Sequence, residues 1–140
     1  MSKEETIRVL LLEPDQVART VEIPNTLEDM QKLVDGSIEP FYPFEEEVCI
    51  VCNEEGKING MLPNRAVYDD DHNMVDVIFG PCFICDCQGE NFASLSDEQI
   101  EKYGKMFRNP QRIFKVGTEI MAVPYTPRES AEKTVGGEAR

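Results

Sequence analysis

A chain of 140 residues with 41% apolar and 8% aromatic content is long enough for one hydrophobic core and too apolar to stay disordered. Its formal net charge of −13 argues against direct nucleic-acid binding, because wrapping a phosphate backbone takes a basic face. Apolar runs such as Val9–Leu12 are far short of the roughly 20 residues a membrane span needs.

Met1-Ser2-Lys3-Glu4-Glu5 shows no apolar stretch and no cleavage site, so a cytoplasmic protein is expected. An odd number of cysteines, five, fits free thiols in a reducing compartment better than a disulfide framework.

In chain order, Thr6 to Leu12 is β-branched and apolar and reads as a strand, with Glu13-Pro14-Asp15 as its turn. Ala18 to Ile23 alternates and returns as an antiparallel partner stopped by Pro24. Asn25 or Thr26 then caps a helix carrying Leu27, Met30, Leu33 and Val34, closed by Asp35-Gly36. Ser37 to Phe44 is extended, but Pro40 and Pro43 confine it to an edge. Glu47 to Cys52 reads as a buried strand turned by Asn53-Glu54-Glu55-Gly56, where Gly56 suits a positive φ.

Lys57 to Val67 is polar and broken by Gly60 and Pro63, so it reads as a connection. Tyr68 to Asn73 is an acidic turn. Met74 to Cys85 is one apolar strand interrupted at Gly80-Pro81. Ser96-Asp97-Glu98-Gln99 has the form of a capping box and opens a helix with Ile100, Tyr103 and Phe107 inward. Arg112 to Val123 supplies a last strand, and residues 124–140 read as a flexible tail. The fold class that follows is α+β: a single domain over residues 1–123, mainly antiparallel sheet with two helices.

Val51-Cys52-Asn53-Glu54-Glu55-Gly56-Lys57, then Gly60-Met61-Leu62-Pro63-Asn64-Arg65-Ala66, form the most distinctive stretch. With Asp76-Val77-Ile78-Phe79-Gly80 and Arg8 to Pro14, it resembles a small family of bacteriophages and mobile elements catalogued only as a domain of unknown function. The likeness spans roughly residues 6 to 115. It implies a phage or mobile-element setting, where small acidic proteins counter host defences, and carries over no catalytic residues. Pro81 to Cys87 lies outside the family pattern.

Cys49-x-x-Cys52 and Cys82-x-x-Cys85 have zinc-ribbon spacing. Ile50-Val51 and Phe83-Ile84 are strand residues, however, and in a strand positions i and i+3 face opposite ways. Buried strand thiols are therefore expected, and a zinc-ribbon-like adaptor is the lesser alternative. Asp69-Asp70-Asp71-His72-Asn73 fails as an EF-hand, since Met74 and Gly80 stand where glycine and glutamate are required. No metal and no cofactor is assigned. His72, the single histidine, has no partner that would make it a general base.

Charge placement says more. Between Lys32 and Lys102 only Lys57 and Arg65 are basic, among sixteen acidic residues. Together with Asn53, Asn59 and Asn64 they could gather donors around a phosphate; the alternative is pairing with nearby carboxylates. Lys102, Lys105, Arg108, Arg112 and Lys115 follow with no acidic residue among them. They suit a helix C-terminus, a second side of an anion pocket or a self-association surface.

The expected function is thus non-enzymatic binding of a small phosphate-bearing ligand, a nucleotide-derived defence signal, through Lys57, Asn64 and Arg65. The alternative is an acidic, DNA-mimic-like inhibitor that docks on a basic surface of a host protein. Homo-oligomerisation is left open.

Overall fold

The computed structural model describes residues 5–89 and 91–127. Five strands build its central antiparallel sheet: β1 (Thr6–Leu12), β2 (Arg19–Pro24), β3 (Ile38–Phe41), β4 (Val48–Asn53) and, later in the chain, β7 (Cys82–Asp86). Their spatial order is β2-β1-β7-β4-β3. Helix α1 (Leu27–Val34) joins β2 to β3. The hairpin β5 (Pro63–Tyr68) and β6 (Met74–Phe79) lies between β4 and β7 in sequence. Helix α2 (Asp97–Met106) and a second hairpin, β8 (Gln111–Val116) and β9 (Glu119–Pro124), complete the chain.

The three inner strands are apolar on both faces. Side chains alternate along a strand with period two. Ile7, Val9, Leu11, Cys49, Val51, Phe83 and Cys85 accordingly share one face with Met30 and Val34 of α1. Leu10, Leu12, Ile50, Cys52, Cys82 and Ile84 share the other with Val67 and Ile78 of the β5–β6 hairpin and Tyr103 of α2. This two-sided burial makes Val9–Leu12 and Val48–Cys52 read as continuous apolar runs.

The helix caps follow the sequence. Thr26 Oγ1 accepts from Asp29 N–H at 3.1 Å, and Asp35 closes α1 in the left-handed region at φ 63° while Gly36 N–H reaches back to Gln31 O. Ser96 and Gln99 exchange both bonds of a capping box.

Four expectations are corrected. The polar connection Lys57 to Val67 contains β5, because Asn64 and Arg65 point inward and find buried acceptors. Met74 to Cys85 is two strands, not one: at Gly80, φ +85°, the chain leaves the hairpin and enters the main sheet. Arg112 to Val123 is a hairpin, turned at Gly117-Thr118. Gly56 is not at positive φ; a Cβ there would come 2.5 Å from Phe79 O, so the requirement is close backbone approach.

Residues 124–127 are not part of a free tail. Tyr125 N–H bonds Pro110 O at 3.0 Å, its hydroxyl bonds Asp15, Arg112 stacks on its ring, and Pro127 is buried. The rest of the expected tail, residues 128–140, lies outside the described residues.

Gly56→Ala must push Phe79 backbone, and a loss of about 1–3 kcal/mol is expected from overpacking. Gly104→Ala meets open space inside α2 and should stabilise by about 0.5–1 kcal/mol. Thermal melts of the two variants should therefore shift in opposite directions.

Candidate functional site

The residues expected to bind a phosphate do not form one cluster. Asn64 and Arg65 are fully buried. Asn64 Nδ2 donates to Leu12 O at 2.9 Å and Gly80 O at 2.8 Å, fastening the ends of β1 and β6. Arg65 donates through Nε to Phe107 O at 3.1 Å, through Nη1 to Glu13 O at 3.3 Å and Asn64 Oδ1 at 2.7 Å, and through Nη2 to Gln16 O at 2.8 Å. Its acceptors are neutral. Burial lowers its pKa to about 10, which still leaves the guanidinium charged at neutral pH.

Asn53 is also structural: its Nδ2 donates to Val34 O and Asp35 O, and its Oδ1 accepts from Glu55 N–H. Lys57 is exposed and paired with Asp76 at 2.8 Å. Asn59 is exposed in the turn between β4 and β5. Carbonyls at chain bends need donors. Here Asn53, Asn64 and Arg65 supply them.

Four of the five cysteines sit in the inner strands, with the members of each C-x-x-C pair on opposite faces. Cys49 and Cys85 are register partners on the α1 face, Sγ to Sγ 3.8 Å. Cys52 and Cys82 are on the other. The Cys49 thiol is pushed far above the ordinary range by its contact with Cys85 and by burial; Cys52 is raised to about 11, first by burial. Neither is a thiolate nucleophile at neutral pH. Among the described residues no group of three or more His, Cys, Asp or Glu is placed to hold a metal ion.

What the tertiary structure does assemble is an acidic end. Asp69 and Asn73 close the β5–β6 hairpin around Asp70-Asp71-His72: Asp69 N–H bonds Asn73 O, and His72 takes the left-handed conformation, φ 67°. Asp69 Oδ1 accepts from the Asp71 and Asn73 amides, the self-bonding that makes aspartate a turn residue. Glu45 N–H bonds Asp70 Oδ2 at 3.0 Å, joining the loop Glu45-Glu46-Glu47 to this turn. Gln99 Nε2 bridges Glu46 to Asp86.

Seven carboxylates from three segments thus lie at one end of the sheet. Glu46 is neutralised in part by Lys102 at 3.2 Å and bonded by Tyr103 Oη at 2.6 Å. The Tyr103 bond first, then Gln99 and Lys102, hold its pKa below the usual carboxylate range. Burial, followed by Glu46, raises that of Tyr103.

A second surface is cationic. Arg19 on β2 and Lys105 and Arg108 at the end of α2 line a groove of about 420 Å³ floored by Leu10, Ala18 and Gly104. Arg19 is shared with Glu13 at 3.2 Å and Lys105 with Glu101 at 3.8 Å. The sequence flagged the run from Lys102 to Lys115 but gave no sign that Arg19 would join it.

Among the described residues no helix is long and apolar enough to cross a membrane. The family described as Domain of unknown function (DUF3846) matches residues 7–108, well over half of the chain. Neither the curated proteins nor the solved structures contain a match to it. The match starts within β1 and stops before β8, so it takes in the central sheet, both helices and the β5–β6 hairpin but not the β8–β9 hairpin. The chain belongs to this family.

Arg65→Ala would leave the carbonyls of Gln16 and Phe107 without the Arg65 donor and that of Glu13 with Gln16 N–H alone. A loss of about 3–5 kcal/mol is expected, from carbonyls left short of donors at about 1–3 kcal/mol each together with the space the side chain vacates, visible as a large fall in denaturation midpoint. Arg65→Lys should rescue only part of it, because an ammonium cannot reach acceptors spread around a planar fork.

Proposed function

Starting from membership of a family whose activity is undescribed, we propose that this protein is a non-enzymatic docking protein whose acidic end binds a basic surface on another protein. The observation that carries this reading is the hydrogen bond from Glu45 N–H to Asp70 Oδ2, which merges two carboxylate triplets far apart in sequence. Charges within about 8 Å of one another act together at physiological salt, so the merged cluster presents a focused negative field of the kind a DNA-binding surface accepts.

The phage and mobile-element setting implied by the sequence resemblance makes a cytoplasmic host defence protein the natural target. Each exposed pair formed would contribute only about 0.2–1 kcal/mol. Affinity therefore accumulates over several pairs and weakens with salt.

A second reading keeps the small phosphate-bearing ligand but moves it to the groove of Arg19, Lys105 and Arg108. It is favoured by three cations converging in a chain of net charge −13. Titration calorimetry against cyclic and linear nucleotides tests it. Binding by the wild type and a tenfold or greater loss in Arg108→Ala, the scale of one charged hydrogen bond, would support the groove. Heat-silent titrations across the panel would exclude it.

For docking, Glu45→Gln, Glu47→Gln, Asp70→Asn and Asp71→Asn combined remove four charges while leaving Asp69 and Glu46 in their bonds. The wild type should retain a basic target protein from infected or element-bearing cells at low salt and release it as salt rises. The combined variant, equally folded by circular dichroism, should not retain it. Equal retention by both proteins sinks the docking reading.

A further inference from the structure

The β8–β9 hairpin stands outside the family match, which ends at residue 108, and its outer strand is unpaired. Among the described residues β9 pairs only with β8, and the hairpin forms a sheet of its own. A two-stranded ribbon is marginal by itself. This one packs on the domain through β8, where Ala66 N–H bonds Gln111 Oε1 at 2.8 Å, and leaves Phe114, Val116, Ile120, Met121 and Val123 between 40% and 57% exposed.

Strand edges in monomers are blunted by charge, proline or bulges. Between Glu119 at the turn and Pro124 at the far end, β9 has none of these.

The direction of the free groups follows from the register. Val116 faces Glu119 across the two-residue turn, and Tyr125 N–H bonds Pro110 O. Antiparallel pairs alternate between bonded and non-bonded. Glu119, Met121 and Val123 therefore spend their N–H and C=O on β8, whereas those of Ile120 and Ala122 point outward.

From this we infer that β9 is a homodimer edge: two copies pair β9 against β9 antiparallel about a two-fold axis through Met121, making a four-stranded sheet. In that register Ile120 of one copy faces Ala122 of the other, and every outward N–H and C=O of both residues finds a partner. Shifting the axis to Ala122 would set Ile120 O against Pro124, which has no N–H to give.

Charge also favours a second copy. Each Glu119 comes opposite the second copy's Val123, whose neighbour on β8 is Arg112, so a cation lies one strand beyond the one carboxylate of each β9. The hairpin itself carries Arg112 and Lys115 against the one carboxylate of Glu119. Two chains of net charge −13 can therefore meet at a junction that is itself net positive. The pairing closes on itself, since each copy uses the outer edge of its β9 once.

Sedimentation of the full chain across a concentration series tests this. The wild type should rise to twice the chain mass. Met121→Lys, which sets two ammonium groups face to face at the axis, should stay at the mass of one chain with its melting temperature nearly unchanged. Met121→Cys should cross-link under mild oxidation, because non-bonded antiparallel pairs bring Cα atoms to about 4.5 Å, inside the disulfide range. Ala122→Cys should not, as its nearest copy lies diagonally at about 7–8 Å. A wild type that stays at one chain mass overturns the inference and leaves the edge to a different protein. So does a dimer that survives Met121→Lys or fails to cross-link through Met121→Cys.

Discussion

Three adjacent strands that are apolar on both faces leave the chain only one class of solution. A sheet of this kind must be covered twice. Helix α1 covers the face of Ile7, Val51 and Phe83, and the β5–β6 hairpin with α2 covers that of Leu12, Ile50 and Ile84. The second cover is the harder one. A hairpin laid across a sheet must leave the strand ends and rejoin them at sharp bends, and bends strand carbonyls in the interior. Asn64 and Arg65 resolve that conflict. Between them they donate to Leu12, Glu13, Gln16, Gly80 and Phe107, tying β1, the β5–β6 hairpin and the end of α2 together.

This arrangement exchanges one cost for another. An arginine without a carboxylate partner carries an uncompensated desolvation penalty, visible in its lowered pKa. Backbone oxygens left short of donors in the same space would cost about 1–3 kcal/mol each, and Asn64 and Arg65 between them serve five. The Asn-Arg dipeptide is thus a structural clamp in the position where a ligand site was expected. The acidic end shows the reverse: its carboxylates are exposed or half-buried, bonded chiefly to each other's backbone and to Gln99, and few are neutralised. Charge left uncompensated at a surface is available to a partner; charge compensated inside is not.

Much of the fold was legible because local signals agreed. The strand–turn–strand of β1 and β2, the Thr26 cap, the Ser96–Gln99 capping box and the thiols facing alternate sides of β4 and β7 all follow from periodicity and cap chemistry within a few residues. The acidic turn at Asp69–Asn73 was legible too. Hairpin β8–β9 was half legible: its apolar run was visible, but a glycine in a run does not say whether the chain bends there or continues.

Sequence alone determined the α+β class, the two helices and the strongly acidic balance, because composition, periodicity and capping act over neighbouring residues. Only the tertiary structure decided which polar residues are buried. Asn64 and Arg65 have the composition of a binding loop, and nothing within the segment Met61 to Val67 reveals the five carbonyls that approach them from residues 12 to 107. The tertiary structure likewise joined Glu45 to Asp70, brought Arg19 and Arg108 to one groove and, among the described residues, left β9 with an open edge. Contacts between segments dozens of residues apart depend on how the sheet is covered, and no local pattern encodes that.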